Sequence, residues 1–134
     1  MSLLEIGAKE KDWRAAVESL SRDGANAVMV IDSPETFQNS TLIAKLLVDA
    51  KLPSIFGLVE SVEAGGLMAY SFDLVELYKR LANNIDAILR GAKPGDIPIY
   101  QATKFELSIN LKTAKQLNLS VPPALAATAD KIIE

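Results

Sequence analysis

Cysteine and histidine are both missing from this chain of 134 residues. Without cysteine there is no disulfide, no thiol nucleophile and no thiolate metal site. Without histidine there is no imidazole to act as a general base near neutral pH or to complete a zinc centre. Carboxylate catalysis and oxygen-ligand metal sites are all that survive of those classes. No residue pattern singles out a catalytic group, a metal site or a cofactor loop, so none of the three is expected. Apolar runs are short, and none approaches the ~20 residues that cross a bilayer. No basic start followed by an apolar stretch marks an export signal. Positive charge is scattered, with 14 Lys and Arg against 17 Asp and Glu and a net charge of -3. Nucleic acid is therefore not an expected partner, because it requires a basic stripe that displaces counterions from phosphates.

What remains suits one globular unit. Hydrophobic residues make up 49% and charged residues 23% of the chain, enough for a real core at this length. Trp13, Ala16, Val17 and Leu20 recur at helical spacing, with Asp12 as the expected cap and Gly24 as the stop. Ala27 to Ile31 is a short, valine-containing apolar run, which predicts a strand covered on both faces. A helical stripe at Ile43, Leu46, Leu47 and Ala50 leads to Pro53 and a second strand, Ser54 to Phe56. This strand-helix-strand rhythm predicts an α/β fold, a three-layer α/β/α Rossmann-like lobe with a parallel sheet.

After Gly65-Gly66, a strand over Leu67 to Tyr70 precedes a long amphipathic helix with Leu74, Leu77, Tyr78, Leu81, Ile85 and Ile88 on one face. Asp73 and Glu76 have capping-box spacing, and Gly91 stands at the expected C-terminal stop. A turn-rich connector covers Leu89 to Pro98. Phe105, Leu107 and Ile109 alternate with Glu106, Ser108 and Asn110, which predicts a strand with its apolar side in the core and the other side wetter. Short helices are expected over Lys112 to Leu117 and from Pro123 to Ile133.

Ligands of open α/β sheets sit beyond the carboxyl ends of the strands. Asp32 and Ser33 follow the first strand, and Gly57 to Glu60 the second. Asp32 suits a ligand ammonium group. Ser33 suits a carboxylate, or caps a helix that starts at Pro34. Glu60 and Glu63 are read as loop carboxylates, solvated or in contact with a ligand, rather than as a catalytic pair. Gly65 and Gly66 are too few for a dinucleotide fingerprint and suit a hinge or tight crossing. Trp13 is assigned to the core.

Two stretches carry a family resemblance. TKFELSINLKTAKQLNLSVPP (Thr103 to Pro123) and VEAGGLMAYSFDLVELY (Val62 to Tyr78) resemble the substrate-binding proteins of ABC transporters, in the branch with tryptophan- and tyrosine-type binders. The resemblance runs from about Trp13 to Glu134 and matches only the later part of such a protein. It implies the periplasmic-binding-protein-like type I fold and a two-lobed molecule that holds a small polar solute, such as an amino acid, in its cleft. It also implies an ABC permease as partner for the full-length protein, no reaction, and a periplasmic or extracellular, membrane-associated location. The missing export signal is then expected to reflect truncation.

Under that resemblance residues 1–64 belong to the second lobe. Residues 65–104 form the Gly-Gly crossing and a long helix that completes the absent first lobe, and residues 105–134 form the terminal strand and helices. The cleft edge would hold Asp32, Ser33, Glu60 and Glu63. Tyr70 and Asp73 stand where the family has a "SYG-D" run, altered here to AYSFD, with Tyr70 suited to stacking and Asp73 better suited to capping. The helix from Asp73 to Arg90 would need new cover, which predicts a homodimer through it. The alternative reading is a cytoplasmic regulatory or interaction domain that reuses a binding-protein lobe.

Overall fold

The computed structural model describes residues 9–134, so the reading of the extreme N-terminus for an export signal lies outside the described residues. The chain divides into two compact units: residues up to Ser71 together with Glu106 onward, and Phe72–Phe105.

In the first unit, α1 (Glu10–Arg22) presents Trp13 and Val17 to the interior. Its N-cap is Lys9 rather than Asp12. Asp12 instead sits in the first turn and accepts a 3.3 Å hydrogen bond from the Lys9 N–H, which places an acidic group at the positive end of the helix. Strand β1 (Val28–Val30) leads into α2 (Pro34–Gln38) and α3 (Ser40–Asp49), whose buried face is Ile43, Ala44, Leu46 and Leu47. Then follow β2 (Ser54–Phe56), α4 (Val59–Glu63) and β3 (Met68–Phe72). β1 pairs with β2, and β2 with β3, all parallel, in the five-stranded order β1-β2-β3-β4-β5.

The register assigns the two faces of this sheet. Val30, Phe56 and Ala69 share one row, and Met29, Ile55 and Met68 the next. The first row packs into the main core with Trp13, Val17, Leu47 and Val62. The second row is poorly covered at β1, where Met29 is 73% and Ile31 65% exposed. Among the described residues, the two-sided cover expected of the 27–31 run is therefore not seen at Met29 and Ile31. Helices lie over one side of β1, and a continuous apolar sequence cannot tell one covered face from two.

The long helix α5 (Leu74–Leu89) and the 3-10 turn at Pro94–Asp96 make up most of the second unit. Asp73 caps α5 through its carboxylate, which accepts from Glu76 N–H at 2.9 Å. Ion pairs Glu76–Arg80 and Asp86–Arg90 run along the helix, and the Arg80 guanidinium lies 3.8 Å from the centre of the Tyr100 ring. No residue of α5 is buried.

Strand β4 (Phe105–Asn110) enters the sheet beside β3 and leads to α6 (Leu111–Gln116) and α7 (Pro123–Thr128). Residues expected to continue the last helix instead form β5 (Lys131–Ile133), parallel to β4. The helix ends because Ala129 turns to extended backbone, and Asp130 then bonds to Leu107 through its N–H and its side chain. The pattern on β4 is also corrected. Ile109 is buried, but so are Ser108 and Asn110, whereas Phe105 is 45% exposed.

Candidate functional site

The parallel pairing of β1 and β2 brings their carboxyl ends side by side, and with them Asp32 and the start of α4. Gly57, the first residue after β2, is what lets the Asp32 carboxylate lie there. A Cβ on Gly57 would fall 1.9 Å from Asp32 Oδ2. The Gly57 N–H donates to this carboxylate, yet partial burial and, to a smaller degree, the charge of Glu60 push Asp32 above its ordinary value. Glu60 stands in the first turn of α4, and its Oε2 is buried with no hydrogen-bond partner. Asp32, Gly57 and Glu60 thus form one acidic group at the carboxyl edge. Gly57 was legible in the sequence only as a glycine after a short strand. The need for it appears when Asp32 arrives from the neighbouring strand.

The other proposed residues separate. Ser33 is a helix cap: its hydroxyl accepts from Thr36 N–H at 3.2 Å, and its own N–H donates to Thr36 Oγ1 at 2.7 Å. Glu35, in the first turn of the same helix, is held below its ordinary value by its own backbone N–H and then by the Ser33 hydroxyl. Glu60 and Glu63 belong to α4, not to a loop, and Glu63 closes an ion pair with Lys131 on β5. Tyr70 projects from β3 with 56% of its surface exposed. Asp73 is the cap of α5 in the second unit.

Gly65 and Gly66 follow Ala64, the C-cap of α4. Gly65 has φ +114, and Gly66 N–H donates to Ser61 O at 2.8 Å. A Cβ on Gly66 would lie 2.5 Å from the Phe56 ring. Both lie inside the first unit, and the change of unit comes after Ser71.

The INLKT letters prove to be structural. Asn110 is 5% exposed and caps α6 by accepting from Thr113 N–H at 3.0 Å. Its amide donates to Val62 O at 3.1 Å, and Thr113 Oγ1 donates to Gly65 O at 2.9 Å. Asn110 N–H also reaches Leu67 O, just before β3. This clip therefore sits at the amino end of β3, on the opposite edge from Asp32.

Among the described residues no group of three or more His, Cys, Asp or Glu side chains is placed to hold a metal ion. No helix there is long and apolar enough to cross a membrane. A shallow depression of about 260 Å³ lies in the second unit, lined by Arg80, Asn83, Asn84, Ile97 and Tyr100, and includes none of the proposed residues.

Comparison with known proteins gives a consistent picture. The family described as ABC transporter substrate binding protein matches residues 1–133. No curated protein sequence matches. Among solved structures, a conserved domain protein from Vibrio cholerae O1 biovar El Tor superposes with TM-score 0.84 at 23% identity, over 92% of this chain and 42% of that one. An ABC domain from Streptococcus pneumoniae, solved in complex with L-Trp, gives TM-score 0.82 at 22% identity, over 93% of this chain and 43% of that one. A ligand-free, open substrate binding protein with adhesive properties from Clostridium difficile gives 0.64 at 17%, over 93% and 41%. These likenesses establish a shared fold, and the chain spans less than half the length of each solved structure.

Proposed function

The chain belongs to the ABC transporter substrate binding protein family, and on that premise we propose that it supplies one jaw of a clamshell that captures a small polar solute and performs no reaction on it. The single observation that carries this reading is the acidic edge. A carboxylate seated against Gly57, beside a buried carboxylate oxygen with no partner, suits a positively charged donor. A solute ammonium group, as in an amino acid, would meet the Asp32 carboxylate, with the charge of Glu60 beside it. Tyr70 offers an exposed ring on the same sheet for stacking on the solute body. Ser33 holds the segment after Asp32 by capping α2 and is assigned no solute contact.

The remaining contacts belong to a second jaw. Phe72–Phe105, with α5, are proposed to complete that jaw in a longer protein, a later crossing than the one expected at Gly65 and Gly66. Its closed form would dock on an ABC permease outside the cytoplasm. Closure about a hinge traps solute because the closed state makes contacts the open state lacks. One jaw alone binds weakly, since each ~1.4 kcal/mol of lost contact is a factor of ten.

The test is a titration of the labelled 134-residue chain followed by amide NMR, with L-tryptophan first, then other amino acids and their N-acetyl forms. Free amino acids are expected to shift the amides of Gly57 and Glu60, N-acetylation to abolish the effect, and Asp32→Ala to weaken it at least ~10-fold. No shift at the carboxyl edge at tens of millimolar, or one indifferent to N-acetylation, would overturn the ammonium assignment.

A further inference from the structure

The segment that carries Asp32 has little regular structure to hold it. Residues 31–33 lie outside every strand and helix, between the end of β1 and the start of α2. The side chain of Ile31, 65% exposed, does not anchor the segment in the core. One hydroxyl holds it instead. Thr36 Oγ1 accepts from the Ser33 N–H at 2.7 Å and donates to Ile31 O at 3.1 Å. It thus grips the backbone on both sides of Asp32. Ser33 O and Ser33 Oγ also lie 3.0 and 3.4 Å from this hydroxyl. The first already accepts from Phe37 N–H and the second from Thr36 N–H, so the hydroxyl proton serves Ile31 O.

Capping accounts for only part of this arrangement. In a capping box the residue three places past the cap reaches back to the cap N–H, usually as Glu or Gln. Thr36 does so for Ser33, but a carboxylate there would have no proton for Ile31 O. The bond to Ile31 O lies ahead of Asp32, outside the helix, and adds nothing to the cap. We propose that Thr36 is the positioning residue for Asp32, pinning the backbone at both flanks so that the carboxylate points into the notch left by Gly57. The tip of that side chain is then held by the Gly57 N–H and its base by Thr36. Thr36 is assigned no solute contact. Its effect on binding rests on the ammonium reading above, whereas its effect on Asp32 is measurable without solute.

The labelled chain is titrated with acid in the absence of solute while the Gly57 amide is followed by NMR. Its resonance is expected to move as Asp32 ionises, and Asp32→Asn identifies that step. The other charges at this edge are Glu60 in the first turn of α4 and Glu35 in the first turn of α2. A step that survives Asp32→Asn belongs to them. Thr36→Val is expected to abolish most of the Asp32 step, and Thr36→Ser, which keeps the hydroxyl, to retain it. Thr36→Ala enters a helix more readily than valine and should match Thr36→Val, which guards against a folding defect. Amides of α1 and α3 should stay in place in both. A full-sized step in Thr36→Val would show a helix cap and nothing more, and overturn the proposal. Loss of the step in Thr36→Ser, or its absence from the unaltered chain, would overturn it too. With amino acid added, Thr36→Val should bind ~10-fold more weakly, as for loss of one charged contact. A lost step with unchanged amino-acid binding would leave Thr36 in its role and sink the ammonium assignment instead.

Discussion

Gly57 is the residue on which the proposed solute edge turns. Its missing side chain is the space that the Asp32 carboxylate fills, so Gly57→Ala must displace that carboxylate. The expected result is a folded protein in which the amide response to amino acids is lost as completely as in Asp32→Ala. Unchanged binding in Gly57→Ala would mean that Asp32 does not contact solute.

Asp32 also gives a pH signature. Its value in the folded chain lies above the ordinary aspartate value because burial disfavours the charge. Between the ordinary and the raised value the folded state holds more protons than the unfolded state, so stability falls as pH rises through that acidic window. Asp32→Asn is expected to flatten this step in urea unfolding measured across the window. Ammonium binding needs the ionised carboxylate and should strengthen with pH over the same range, then level off towards neutrality.

At the scale of elements, the clip of Asn110, Thr113 and Gly65 joins α4 to α6 through buried polar contacts. Asn110→Ala removes a helix cap and leaves Val62 O without its partner in the interior. The expected loss is about 2–3 kcal/mol, read as a lower urea midpoint with an unchanged slope. Asn110→Asp keeps the cap but cannot donate to Val62 O and should recover only part of that. A loss under ~0.5 kcal/mol would show that water replaces the clip.

The helix expected from Lys112 is present, but the cap that starts it was not read: Asn110 was assigned to the wetter side of the strand, although Asn and Thr three residues apart are a local capping pattern. β5 was misread for a non-local reason. Lys131 to Ile133 join a strand because β4 offers an edge some twenty residues away, and helical spacing from Pro123 carries no trace of it. Ser108 and Asn110 were expected on a wetter side, but their burial comes from packing contributed by other elements.

At the scale of the whole molecule, membership of a family of substrate-binding proteins and a span of less than half its solved relatives set the expected behaviour. The 134-residue chain should bind amino acids in the millimolar range or weaker. Addition of the complementary lobe should improve affinity at least ~100-fold through contacts made on closure, measurable by calorimetry. Equal affinity with and without that lobe would place the whole site on one jaw and end the clamshell reading.

The α/β alternation, the cap at Asp73, the capping alternative at Ser33 and the assignment of Trp13 to the core were legible in sequence alone, because each is read from residues within a few positions of one another. The meeting of Asp32 with Gly57 and Glu60, the diversion of Glu63 to Lys131 and the bare side of β1 were decided only by tertiary structure. They arise where strands distant in sequence lie side by side. Local patterns set backbone conformation, but which side chains become neighbours, and which stay uncovered, depends on how the layers stack.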